Sequence, residues 1–178
     1  MVTRLGPAAV MLIALAAGAA QANTLTFSGT NKAANQVDYF YFNVESPGTV
    51  TGATFSVDFD PILAIWKPAG SDWSLLDQND DASGANGSSN DLDAGLTLTL
   101  LPVGTYLATV SDYANFANGP LLSNGFTGDG FFGDADYPYE LRIASEDGTV
   151  SAIPLPAAVW LFGSALAGLG LFRRRTGN

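Results

Sequence analysis

The stretch GLTLTLL, residues 95–101, sets leucines against threonines with a period of two. That period suits a half-buried β-strand and no other regular structure. Similar short runs recur: TLTFSG (24–29), VDYFYFNV (37–44), GTVTGATFSVDFD (48–60), PILAIWKP (61–68), GTYLATVSD (104–112) and YPYELRIAS (137–145). Gly, Pro, Asn and Asp turns separate them, and no stretch of residues 23–150 sustains a helical period. The expectation is an all-β fold of about eight strands, a sandwich or barrel. Phe40, Phe42 and Val44 are expected on one face, as are Leu96, Leu98 and Leu100. Val50, Ala53, Phe55 and Val57 are expected to carry the apolar side of the third run.

Composition removes several functions. The chain has no Cys and no His. Disulfides, thiol chemistry, Ser–His or Cys–His nucleophiles and zinc-type hydrolase sites are therefore excluded. Its formal net charge is −10, and all seventeen acidic residues lie between Asp38 and Asp147. A body this acidic repels phosphate backbones, so no nucleic-acid partner is expected. Fourteen of the acids are Asp, a residue suited to turns and to oxygen-ligand cation sites.

The densest acidic segment is DQNDDASGANGSSNDLDAG, residues 77–95. Two readings fit it. In one, Asp and Asn are turn formers in a long β-loop. In the other, Asp80, Asp81, Asp91 and Asp93 converge on a calcium ion, with Asp60 approaching from a strand end. It is no EF-hand, because Ala82 stands where that loop needs Gly and Ser88 where it needs Glu. A second acidic group, Asp129, Asp134 and Asp136, lies in the Gly-rich segment 114–136 and reads as solvated loop. Trp66 and Trp73 flank the turn KPAGSD, which would leave one of them exposed.

Both ends read as addresses. Arg4, the apolar run Val10 to Ala17 and the small-x-small triplet Ala20-Gln21-Ala22 form a secretory signal peptide over residues 1–22. Export through the Sec translocon and a mature start at Asn23 are expected. At the other end, Pro154 and Pro156 precede sixteen uncharged residues, 157–172, and then Arg173, Arg174 and Arg175. Such a helix is short but able to span a bilayer, and the arginines would stay cytoplasmic.

The C-terminal features resemble the PEP-CTERM sorting signal. They are Pro154-Leu155-Pro156, Ala157-Ala158, the Val159-Trp160-Leu161-Phe162 run, a small-residue helix and the arginine cluster. The likeness covers residues 151–178, with Leu155 where that family has glutamate. It implies processing by an exosortase in a Gram-negative bacterium that makes exopolysaccharide. Residues 36–113 resemble a second family, the bacterial pre-peptidase C-terminal (PPC) domain. The matching residues are Asp38, Asp60-Pro61-Ile62-Leu63, Gly70, Asn79-Asp80-Asp81 and Leu101-Pro102-Val103-Gly104-Thr105-Tyr106. That likeness implies a jelly-roll-like β-sandwich over residues 23–150, of a kind that includes calcium- and matrix-polymer-binding members.

The function expected is that of an exported, non-enzymatic protein of the cell surface or exopolysaccharide matrix. It would be an inner-membrane intermediate before processing, anchored by the C-terminal helix. A calcium-dependent carbohydrate- or polymer-binding module is the alternative, with Trp66 and Trp73 as contacts. A carboxylate-based glycoside hydrolase is the third possibility, since two suitably spaced acids can run that reaction without His or Cys.

Overall fold

The computed structural model describes residues 23–82, 90–132 and 135–153. Nine strands form: β1 (Thr24–Asn31), β2 (Val37–Ser46), β3 (Gly48–Ser56), β4 (Pro61–Ala69), β5 (Asp72–Asn79), β6 (Gly95–Leu101), β7 (Gly104–Asp112), β8 (Tyr137–Ser145) and β9 (Thr149–Ala152). They build two antiparallel sheets, ordered β1-β8-β3-β6 and β5-β4-β7-β2-β9. Residues of both sheets share one core, which includes Phe42, Leu63, Ile65, Val110, Leu141 and Ile143. The described residues thus form an all-β sandwich. Among the described residues no helix is long and apolar enough to cross a membrane. The expected helix at 157–172, its flanking sorting residues and the signal peptide lie outside the described residues.

Period-two alternation places most inward side chains. On β2, Phe42 and Val44 are buried and Phe40 packs against the core, while Tyr39 and Tyr41 face outward. Gly52 on β3 points inward, where a Cβ would press on Leu63 (3.1 Å) and Ile143 (3.3 Å). Val50 lies inward on the same face, so Ala53 and Phe55 fall on the opposite one. There Arg142 covers the Phe55 ring at 3.9 Å. Val57 lies beyond the end of β3 and is exposed.

β6 departs from its expected pattern. Leu96 is buried and Leu98 packs on the core, but Leu100 is 81% exposed and Leu101 is buried instead. The β3–β6 register shifts between Gly48 and Val50, and Leu100 adopts φ 54°. An extra residue at such a bulge reverses the alternation beyond it.

β4 is buried along most of its length on both faces, and its apolar run is nearly continuous. Leu63 and Ile65 enter the main core, while Ala64 and Trp66 join Leu107 in a second cluster on the outer face. Leu122 and Phe126 of the Gly-rich segment cover that cluster. The segment also shields the edge of β5: the Leu75 amide donates to the Pro120 carbonyl (2.8 Å), and the Ala117 amide to Gln78 Oε1 (3.1 Å). A hydrogen bond with the Ser123 hydroxyl holds the Asp72 carboxyl below its ordinary value. Covering an edge strand in this way removes a template for pairing with other chains.

Candidate functional site

Antiparallel pairing brings one set of strand ends together. The end of β7 pairs with the start of β4, Asp112 opposite Pro61, and with the start of β2, Ser111 opposite Val37. The end of β1 pairs with the start of β8, Asn31 opposite Tyr137. The end of β5 meets the start of β4, Asn79 opposite Leu63. The described parts of the acidic segment, 77–82 and 90–95, and the residues before β4 therefore share one end of the sandwich. Lys32, also at this end, is ion-paired to Asp136 at 3.2 Å.

Phe59 anchors this end. It is fully buried, with its ring 5.6 Å from Tyr139, 6.0 Å from Tyr137 and 6.2 Å from Phe132. The next residue, Asp60, is fixed by its carbonyl, which accepts from the Tyr113 amide at 2.9 Å. Asp60 Oδ1 is buried without a hydrogen-bond partner. Burial pushes its carboxyl up to about 6, and the charges of Asp81 and Asp80 add to the rise.

Asp112 stands opposite Pro61, the residue after Asp60, and is wholly inaccessible. Its Oδ2 accepts from the Phe132 amide at 2.7 Å, but its Oδ1 has no hydrogen-bond partner. Burial raises this carboxyl to about 6; the Phe132 amide opposes the rise and the Asp60 charge adds to it. Gly130 permits the covering loop to come close, since a Cβ there would collide with the Ala34 carbonyl and with Asp112. Nearby, the Asn115 side-chain oxygen accepts from the Gly128 amide (2.6 Å), while its Nδ2 is buried without a partner.

The five acids proposed from sequence separate into different roles. Asp60, Asp80 and Asp81 lie within electrostatic reach of one another. Asn79 Nδ2 bridges the carbonyls of Asp81 and Gly95, both at 3.0 Å, which fixes the Asp80–Asp81 corner beside β6. Asp80 Oδ1 accepts from the Asp81 amide at 2.8 Å. Asp93 stands apart. It is buried, and its Oδ1 accepts from the Ser56 amide (2.9 Å) and hydroxyl (2.8 Å), tying the acidic segment to β3. Asp91 is exposed in the turn closed by the Asp93 amide and the Asn90 carbonyl. Among the described residues, no three acidic side chains already form a group able to hold a metal ion. Asp134 lies outside the described residues, and Asp129 is exposed.

Two buried carboxylates, one raised by the other's charge, can hold a proton or face a cation. They are poorly placed for glycoside hydrolysis, because Asp112 is sealed from solvent and cannot touch a sugar. Asp112 was not singled out by its sequence, where it is only the last residue of an apolar strand. Its partnership with Asp60 depends on β4–β7 register, which no local pattern records.

The aromatic pair read from the KPAGSD turn also divides. Trp66 is fully buried and donates through Nε1 to Thr109 Oγ1 at 3.0 Å, so it is no ligand contact. Trp73 is half-buried beside Tyr41, with ring centroids 5.7 Å apart. With Tyr39 and Tyr41, 48% and 45% exposed, it makes a short aromatic row on the outer face of the five-stranded sheet.

No protein-family model matches the chain, and no curated protein matches its sequence. Solved structures similar to it include PliG of Aeromonas hydrophila, a periplasmic inhibitor of g-type lysozyme. That match has 12% identity and a TM-score of 0.40, covering 68% of this chain and 84% of the other. PliG of Salmonella Typhimurium matches at 16% identity and a TM-score of 0.37, covering 68% and 90%.

Proposed function

We propose that this is an exported, non-enzymatic protein of the bacterial cell surface or exopolysaccharide matrix, delivered by a removable C-terminal sorting signal. The observation that supports this reading most is where the sandwich begins and ends. β1 starts at Thr24, two residues after Ala22, the last residue of the expected signal peptide. β9 ends at Ala152, two residues before Pro154, and is hydrogen-bonded to β2. Cutting at both expected sites would leave every strand and the whole described core in place. The Sec translocon and an exosortase are the partners this layout requires, and the jelly-roll-like family resemblance is part of the same reading. Mass spectrometry of the surface-released protein tests it. An intact Trp160-to-Arg175 segment in that material would refute cleavage.

The row formed by Tyr39, Tyr41 and Trp73 favours a second reading, a carbohydrate- or polymer-binding module. Exposed aromatic faces stack on the apolar faces of sugar rings. A glycan pull-down with wild type and Trp73→Ala, in calcium and in chelator, separates the two readings. Binding that Trp73→Ala abolishes supports the module; equal retention by both proteins removes Trp73 from any such role.

A further inference from the structure

We propose that Asp60 and Asp112 together hold a calcium ion, with Asp80 and Asp81, the two residues after β5, supplying further oxygens. This goes beyond the export reading and stands whether or not the tail is cut.

Asp60 Oδ1 and Asp112 Oδ1 are both shut away from solvent and both lack a hydrogen-bond donor. A buried acceptor without a donor is costly, and a buried carboxylate oxygen more so. Asp112 stands opposite Pro61, and the Tyr113 amide donates to the Asp60 carbonyl, so the two costs fall at the same end of the β4–β7 ladder. At the same end the side-chain oxygen of the buried Asn31 is a further acceptor without a donor. Buried polar groups this short of partners, gathered at one end of a sandwich, point to a missing shared partner.

The sign of that partner follows from the charges. Asp112 is fully inaccessible, and the cations among the described residues are engaged or remote. Lys32 is paired with Asp136 and Arg142 with Glu140. Lys67 is six residues along β4 from Pro61, about 20 Å at strand rise. An anion or a neutral apolar group would worsen the crowding. Oxygen-only donors of this kind suit a hard divalent cation. Two buried carboxylates fall short of the six to eight oxygens calcium takes. Asp80 and Asp81, the acids Asp60 senses electrostatically, are placed to supply part of the remainder. Asp93 is not needed, because Ser56 occupies its inner oxygen.

The test uses the purified full-length protein, in detergent where its tail requires it. Melting is followed in 5 mM calcium chloride and in chelator at matched ionic strength, together with direct calcium titration by calorimetry. A dissociation constant on the order of 0.1–1 mM is expected, the range of extracellular modules. Calcium should raise the melting midpoint of the wild type and of Asp91→Asn. Asp112→Asn and Asp60→Asn should each weaken binding at least tenfold and lose the calcium-dependent rise. In chelator, Asp112→Asn should melt no lower than wild type, a result that a merely structural Asp112 would not give. An unchanged wild-type midpoint with no calorimetric binding overturns the proposal. So does a response lost in Asp91→Asn but kept in Asp112→Asn. If Asp112→Asn does not fold, Asp60→Asn and the wild-type titration decide.

Discussion

Tyr139 illustrates how single side chains hold the acidic end together. Its hydroxyl donates to Asp38 Oδ2 at 2.5 Å, and Gln36 Nε2 donates to Asp38 Oδ1 at 2.7 Å. Burial, and then the Asp38 hydrogen bond and charge, push the phenol far above its ordinary value, so it remains a donor at any physiological pH. Tyr139→Phe should cost about 1–2 kcal/mol in chemical denaturation, because Asp38 loses a donor it cannot fully replace. A cost near zero would mean that water substitutes fully. Asp60 and Asp112 predict a pH effect of definite sign. Their carboxyls stand near 6 in the folded protein, against about 3.9 in an unfolded chain. Between those values the folded state keeps protons that the unfolded state has lost. Their protonation therefore favours folding fully below about pH 4, and that contribution is lost as pH rises through 6. In chelator, acidifying from pH 7 to pH 5 should raise the melting midpoint by a few degrees. Burial sets the rise at both residues; the Asp81 and Asp80 charges add to it at Asp60, while at Asp112 the Phe132 amide opposes it and the Asp60 charge adds. An Asp60→Asn, Asp112→Asn double variant should lose most of the rise, and an undiminished rise would assign it to other carboxyls. At this scale the sequence reveals chemistry but not geometry. The aspartates of 77–95 are conspicuous as a cluster, yet only chain folding joins Asp80 and Asp81 to Asp60, sends Asp93 to Ser56 and adds Asp112.

At the scale of elements, the Gly-rich segment turns an apparent loop into a lid over apolar surface. Without Leu122 and Phe126 the outer face of β4 and β7 would expose Trp66, Ala64 and Leu107. Replacing both Leu122 and Phe126 with Ala should destabilise the protein by about 2–5 kcal/mol. In a Trp73→Phe, Trp160→Phe background, where Trp66 is the one Trp left, it should also red-shift the indole emission as water reaches Trp66. Unchanged emission would mean that the segment does not cover the indole. The nearly continuous apolar run PILAIWKP is legible as a strand, but nothing local says that both of its faces are buried or what covers the second. Strand β5 is harder to read, because DWSLLDQN has no clean alternation and owes its place to pairing with β4 and the Pro120 contact. Strand β9 is four residues long and exists through β2. Leu100 misleads for a related reason: β6 carries the extra residue of a bulge, three steps from Leu98 to Leu101 against two from Val50 to Gly48 on β3, and strict alternation does not allow for it.

Over the whole molecule, the loops that carry most of the aspartates gather at one end, while the hairpin turns at Gly70 and Gly104 lie at the other. This polarity follows from topology, because antiparallel pairing stacks the start of β4 and β8 on the ends of β1, β5 and β7. It gives the calcium proposal its location and leaves the aromatic row on a separate face. The body from Thr24 to Ala152 contains all nine strands. A protein shortened to residues 23–153 should therefore melt within about 2 °C of the full chain, whereas one ending before Thr149 should melt lower through loss of β9 and buried Val150. The export account rests on the same boundaries. Its most direct test is the intact mass, with terminal peptides, of the protein released from the cell surface. The account predicts a chain that begins at Asn23 and lacks Trp160 to Arg175; released protein that still carries that segment would contradict it.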